Sequence, residues 1–332
     1  MKCFGRSLAI RRELGDRRRG AFCEMNMGVA YRSLGDLPRA IELLEQAERV
    51  FREVDDTEME SRVLGNLSDV RVDSGDYQGA EQECLKALDI SGQIGDREAE
   101  LIMLDRLGWI NARLGNYSEA IARSRHALAL AREIGDSAME ALVLNNMGQV
   151  HWDLGNYREA LDACEHSLRM ARAKMLRAQD TEALALHTLG LITGSLGDAA
   201  AAMRNFQEAE RIAGEIGKSS LQMHIRINIG RRLLATGNEQ EAVEMLTAEL
   251  DKAAQARNRE LELYALVSLA VAHLHLGGLQ RARELSDEAT RRNVTIKDRA
   301  TEVQILKLEA EIAVESECHE EAREGEPRLR GK

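Results

Sequence analysis

Phosphate cradling, metal ligation and thiol chemistry are what the reactive side chains of this sequence would support, given the right spacing. GEIGKSS at 214–220 ends like a phosphate-binding loop. Such a loop needs a glycine five residues before the Gly217–Lys218 pair, where Ile212 stands, and a preceding strand. His273 and His275 are two apart, so on a helix they point to different sides. His319 lies in CHEEA, which lacks the second histidine of a zinc-protease helix. Cys3, Cys23, Cys84, Cys164 and Cys318 are odd in number, widely spread and without CxxC pairing, which fits reduced thiols better than a disulfide framework. Cys84 and Cys164 recur at the position that also holds Leu44 and Phe206, the mark of small core residues. The basic run RRELGDRRRG at 11–20 reads as a solvated helix end. With no serine–histidine or paired-carboxylate arrangement, we expect no catalytic residue, no metal and no cofactor.

Composition limits the partners. A net charge of −11 opposes nucleic-acid backbones. No apolar run reaches the roughly 18–20 residues of a membrane span, and the N-terminus lacks a signal-peptide core. With the thiol pattern, this gives a cytoplasmic protein that binds neither nucleic acid nor membrane. The chain is 44% hydrophobic, so it can bury a core, while 3% aromatics and two prolines favour helix.

The elements repeat. LGNYSEA at 114–120 returns as LGNYREA at 154–160, and turn glycines fall at Gly35, Gly75, Gly115, Gly155, Gly197, Gly237 and Gly277. Five intervals are forty residues and one, before Gly197, is forty-two. Three further slots keep this period: Gly28, Ser68, Gly108, Gly148, Gly190, Gly230 and Ala270; Ala40, Ala80, Ala120, Ala160, Ala202, Ala242 and Ala282; and Ala47, Ala87, Ala127, Ser167, Ala209, Glu249 and Ala289. Small residues there let two helices approach closely. Each unit therefore reads as helix, tight turn, helix: Leu101, Leu104 and Leu107 share a face, and Gly115 ends the helix. Asn116 with Glu119, Asn156 with Glu159 and Asn238 with Glu241 read as capping boxes of the second helix. IGD or a relative ends that helix at Gly15, Gly95, Gly135 and Gly217, but is missing from ARAKMLRAQDTE, where we expect a longer helix or loop and a change of curvature.

Gly28, Tyr31, Ala40 and Ala47 resemble the tetratricopeptide signature, over roughly residues 4–323. The signature tryptophan is mostly leucine (Leu64, Leu104, Leu144, Leu186, Leu266) and the closing proline is absent. The forty-residue period is similar to Partner-of-Inscuteable-type scaffolds and to the C-terminal sensor regions of bacterial regulators and signalling ATPases. The resemblance implies an all-α solenoid superhelix of stacked antiparallel helix pairs spanning 1–323: seven complete pairs, an incomplete unit at each end, and a disordered tail at 324–332. The ragged ends suggest a piece of something longer.

The family's concave groove is lined by first helices. Carried onto this chain, its slots are Arg62, Asp69 and Asp73; Ile102, Asp105, Trp109, Ala112 and Arg113; Leu142, Asn145, Gln149, Trp152 and Asp153; and His187, His224 and Arg231. His187 and His224, in adjacent units, could approach each other. Mixed charge with amide and aromatic groups suits a peptide held by side-chain hydrogen bonds and apolar anchors. The resemblance thus implies a binding module for a protein or peptide, or for other domains of a longer parent. The alternatives are a regulatory fragment of a signalling ATPase and a helical-repeat RNA binder, although the latter would want a basic inner face.

Overall fold

Each unit folds into the expected two helices and a turn. A computed structural model describes residues 2–173, 178–296 and 298–329, and these contain helices and no strand. After α1 (Lys2–Glu13), the first helices of the pairs are α2 (Arg17–Ser33), α4 (Thr57–Ser74), α6 (Arg97–Arg113), α8 (Ser137–Asp153), α10 (Gln179–Ser195), α12 (Ser219–Ala235) and α14 (Arg259–His275). The second helices are α3 (Leu37–Glu53), α5 (Tyr77–Ile94), α7 (Tyr117–Ile134), α9 (Tyr157–Ala171), α11 (Ala199–Glu215), α13 (Glu239–Gln255) and α15 (Leu279–Ile296). A last helix, α16 (Arg299–Leu329), continues past residue 323. The chain divides within α10 into two compact units, Met1–Ile192 and Thr193–Lys332, each with its own helix pairs. The residues 174–177, within the irregular interval, lie outside the described residues. No helix among the described residues is long and apolar enough to cross a membrane.

The turns and close contacts follow from the periodic small residues. Gly115 has φ 79°, a left-handed conformation in which a Cβ is strained, and the other six turn glycines share that region. Where the second punctuation lacks glycine, Asp55 and Arg257 take the same conformation, at φ 53° and 54°. The alanines from Ala40 to Ala282 are fully buried. At Gly28 a Cβ would come within 2.7 Å of Leu44 Cγ, so a larger residue at this position would force Leu44 to shift. Leu104 and Leu107 are buried to 0% exposure, each contributing about 1.5–3 kcal/mol of apolar transfer. Cys84 and Cys164 are likewise in the core, where burial pushes their thiols up to about 11 and about 12 and keeps them protonated.

Two sequence expectations change. Asn116, Asn156 and Asn238 stand at N-caps, yet none accepts a capping hydrogen bond, so the capping boxes do not form there. Asn116 instead donates to Asn111 Oδ1 at 3.3 Å, and Asn238 to Thr236 Oγ1 at 3.1 Å. Most side-chain caps are carboxylates, as where Asp96 accepts from the Ala99 N–H at 3.0 Å, and one amide, Asn258, accepts from the Leu261 N–H at 3.0 Å. Glu249 also departs from its small-residue slot. It is fully buried, and Arg226 at 2.6 Å and Lys252 at 2.8 Å bond its carboxylate. Arg226 stands where five other units have leucine, so an ion pair replaces apolar packing here, as it does at the same slot of the first pair, where buried Glu24 meets Arg12 at 2.8 Å.

Candidate binding face

In the first unit, one line of exposed and half-buried side chains runs along each of α4, α6 and α8. On α4 they are Arg62, Asn66, Asp69 and Asp73; on α6, Ile102, Arg106, Trp109 and Arg113; on α8, Leu142, Asn146, Gln149 and Asp153. The spacing of four, three and four keeps each set on one helical face.

Polar rungs tie these faces together. Arg32 on α2 donates to Asp69 at 2.8 Å and to Asp73 at 2.6 Å. Arg106 forks onto Asp69 at 2.9 and 3.0 Å and donates to the Gly65 carbonyl at 2.8 Å. The Asn146 amide donates to Asp105 at 3.0 Å. Burial pushes the Asp105 carboxyl up to about 6, against the opposing pull of Asn146 and Arg106. Asp69, Asp73 and Asp105 are therefore committed to contacts between successive first helices.

The remaining expected residues fall into different settings. Trp109 is half-buried and meets the Tyr77 ring edge-on at 5.9 Å, while the Arg113 guanidinium lies 5.6 Å from its centroid. Arg62 is exposed and, with Gly65, Asn66, Ile102, Met103 and Arg106, lines a pocket of about 240 Å³ between α4 and α6. Gln149 is half-buried on α8. Trp152 packs against Ala160, Cys164, Leu189 and Ile192, filling space between stacked helices. Asn145 and His187 are buried, at 1% and 3% exposure, and desolvation pulls the His187 imidazole down to about 4, leaving it neutral. In the second unit Arg231 bonds the Tyr264 hydroxyl, and His224 meets the Tyr264 ring edge-on at 5.2 Å.

Arg106, Asn146 and Asn228 were missed by the carried-over slots. They belong to the column Asn26, Asn66, Arg106, Asn146, Thr188, Asn228 and Ser268, which is polar in every unit. That uninterrupted polarity was the available signal. No group of three or more histidine, cysteine or carboxylate side chains among the described residues is placed to hold a metal ion.

A tetratricopeptide-repeat family model matches residues 60–133 and 139–215, and a second model of the same repeat matches 25–93. Together they cover more than half of the 332 residues. The chain is a tetratricopeptide-repeat protein. Residues 232–307 also match a model described as anaphase-promoting complex subunit 5. No curated protein matches the sequence significantly. Among solved structures, a Rap protein complexed with competence and sporulation factor superposes with TM-score 0.71 at 16% identity, over 83% of this chain and 76% of that one. The Rap conjugation gene regulator of plasmid pLS20, in complex with the Phr* peptide, gives 0.66 at 15% identity, over 82% and 75%. Aspartyl phosphate phosphatase F from Bacillus subtilis gives 0.68 at 13% identity, over 86% and 74%. At these identities the likeness is one of fold, an all-α tetratricopeptide-like solenoid.

Proposed function

We propose that this chain is a protein-interaction module that captures a peptide segment or partner domain along the first-helix faces, as the sensor or scaffold part of a signalling or transcription-regulatory protein. The observation that carries this reading is the Trp109–Arg113 corner of α6. There a half-buried tryptophan and a guanidinium stand on the same open face as the pocket lined by Arg62 and Ile102. Tryptophan and arginine are the side chains most often found at the energetic centre of interfaces, because they bury much area or make several hydrogen bonds at once. Two of the fold neighbours hold a factor or a peptide in their complexes, which supports the same use of the fold here. The phosphatase among them belongs to the same architecture. For this chain we favour a non-catalytic role, because its recurrent special residues are spent on packing, turns and inter-helix rungs.

The test uses peptides selected from a random-sequence synthetic library on the immobilised full chain. Trp109→Ala with Arg113→Ala should weaken their binding by about 2 kcal/mol or more, with helix content by circular dichroism unchanged. Undiminished affinity in that folded variant would place the binding surface elsewhere.

A further inference from the structure

Two helices show solvent the faces that the pairs elsewhere bury. Within the pair of α6 and α7, Leu101 and Leu104 pack with Ala127, Leu130 and Ala131, and Ile134 lies against them. By the repeat register, Leu101, Leu104 and Gly108 of α6 correspond to Val303, Leu306 and Ala310 of α16. Val303 and Leu306 are 66% and 57% exposed, and Ala310 is exposed as well. On the opposite side of α16, Ile305, Leu308 and Ile312 are buried, so this helix is docked by one face and open on the other. The same holds in mirror fashion for α1. Ala127, Leu130 and Ile134 of α7 correspond to Ser7 and Ile10 of α1 and to Leu14 just after it. Ile10 and Leu14 are 49% and 75% exposed, and Phe4, at the slot of the buried Phe206, is exposed too. Solenoids ordinarily end on polar outer faces, because an uncovered apolar one invites association. Here both open faces are apolar, one belonging to a second helix and the other to a first helix. Their charges are opposite as well: α1 has four lysines or arginines and one glutamate, whereas residues 299–317 have five glutamates and two lysines or arginines.

We infer that the open face of α16 in one copy of this chain takes α1 of a second copy, so that the two helices complete a repeat across the interface. In the register of the other pairs, Ile10 and Leu14 meet Val303 and Leu306, as Leu130 and Ile134 meet Leu101 and Leu104 within one chain. The same register sets Phe4 over Ala310, the slot whose small side chain lets the second helix approach. The contact repeats between chains the interface that already joins each helix pair. It is also favoured by charge, since a basic helix lies on an acidic one, while two α16 helices packed together would set like charges side by side. The two surfaces are different, so the contact is heterologous: every complex keeps a free α1 and a free α16, and association continues past the dimer.

Sedimentation velocity on the full chain tests this. The mean mass should rise with protein concentration and pass that of a dimer. Ile10→Asp and Leu306→Asp each place a charge at a position exposed in the single chain, so helix content by circular dichroism should be unchanged. Each variant alone should lose tenfold or more in association constant. An equimolar mixture of the two should then form a one-to-one complex and nothing larger, because one variant supplies an intact α16 and the other an intact α1. A mass that stays monomeric up to millimolar concentration in the unaltered chain would overturn the inference. Undiminished association of either variant alone would do so too, since it would place the contact between like ends or elsewhere, as would a mixture that fails to pair. None of these outcomes bears on peptide capture by the first-helix faces, which is measured separately.

Discussion

Burial acts in opposite directions on two side chains of the first helices. It pushes the Asp105 carboxyl up to about 6, while it pulls His187 down to about 4. Unfolded, the two titrate near 3.9 and 6.5. Between those limits the folded chain holds more proton than the unfolded at Asp105, so its contribution to stability is lost as pH rises through about 6. At His187 the unfolded chain holds more proton, so stability is lost as pH falls below about 6.5 toward 4. Replacing Asp105 with Asn should leave the histidine slope less opposed, and urea-unfolding stability should then rise from pH 4.5 to 6.5 more steeply than in the unaltered chain. An unchanged slope would show that Asp105 is not held protonated. Neither environment was legible in the sequence. Asp105 and His187 occupy family slots that suggest a solvent-facing ligand contact, and only the packing of neighbouring first helices turns these slots inward. The partners Arg106 and Asn146 sit one position further on, in a column whose constant polarity was visible but unclaimed.

At the scale of the helix pair, periodicity carried most of the information. The alanines and turn glycines recur because two helices can approach only where side chains are small, and the chain can reverse so tightly only with a left-handed residue. Ala120 is fully buried under the helix crossing, so Ala120→Leu should overpack it and cost roughly 1–3 kcal/mol in thermal or chemical unfolding. Glu119 is exposed and pairs with Arg123 at 2.7 Å, so Glu119→Leu should cost only about 0.5 kcal/mol. Comparable losses for the two would mean that the repeated phrase is not a packing device. The caps were read less well, because residue type at an N-cap does not say where an amide will turn. Asp96→Ala should cost about 1 kcal/mol, the usual value of a lost cap, whereas Asn116→Ala should cost clearly less, since no cap is made. Equal losses in denaturant titrations would contradict the assignment of capping to the carboxylates.

Across the whole molecule, the repeat was legible from end to end, since seven small-residue sets at one period leave little choice of architecture. The exceptions were not legible in their consequences. Glu249 broke its slot in plain view, but that Arg226 and Lys252 would reach it follows only from the packed helices. Which first-helix residues stay open, as Arg62 and Trp109 do, and which close into the core, as Asn145 does, likewise depended on the stacking of neighbouring units. The central claim is that capture occurs on the first helices. Hydrogen–deuterium exchange of the full chain, with and without a library-selected peptide, addresses it most directly. Added protection should concentrate in 62–73, 102–113 and 142–153 of α4, α6 and α8, with α5, α7 and α9 unchanged; protection confined to those second helices would contradict the account.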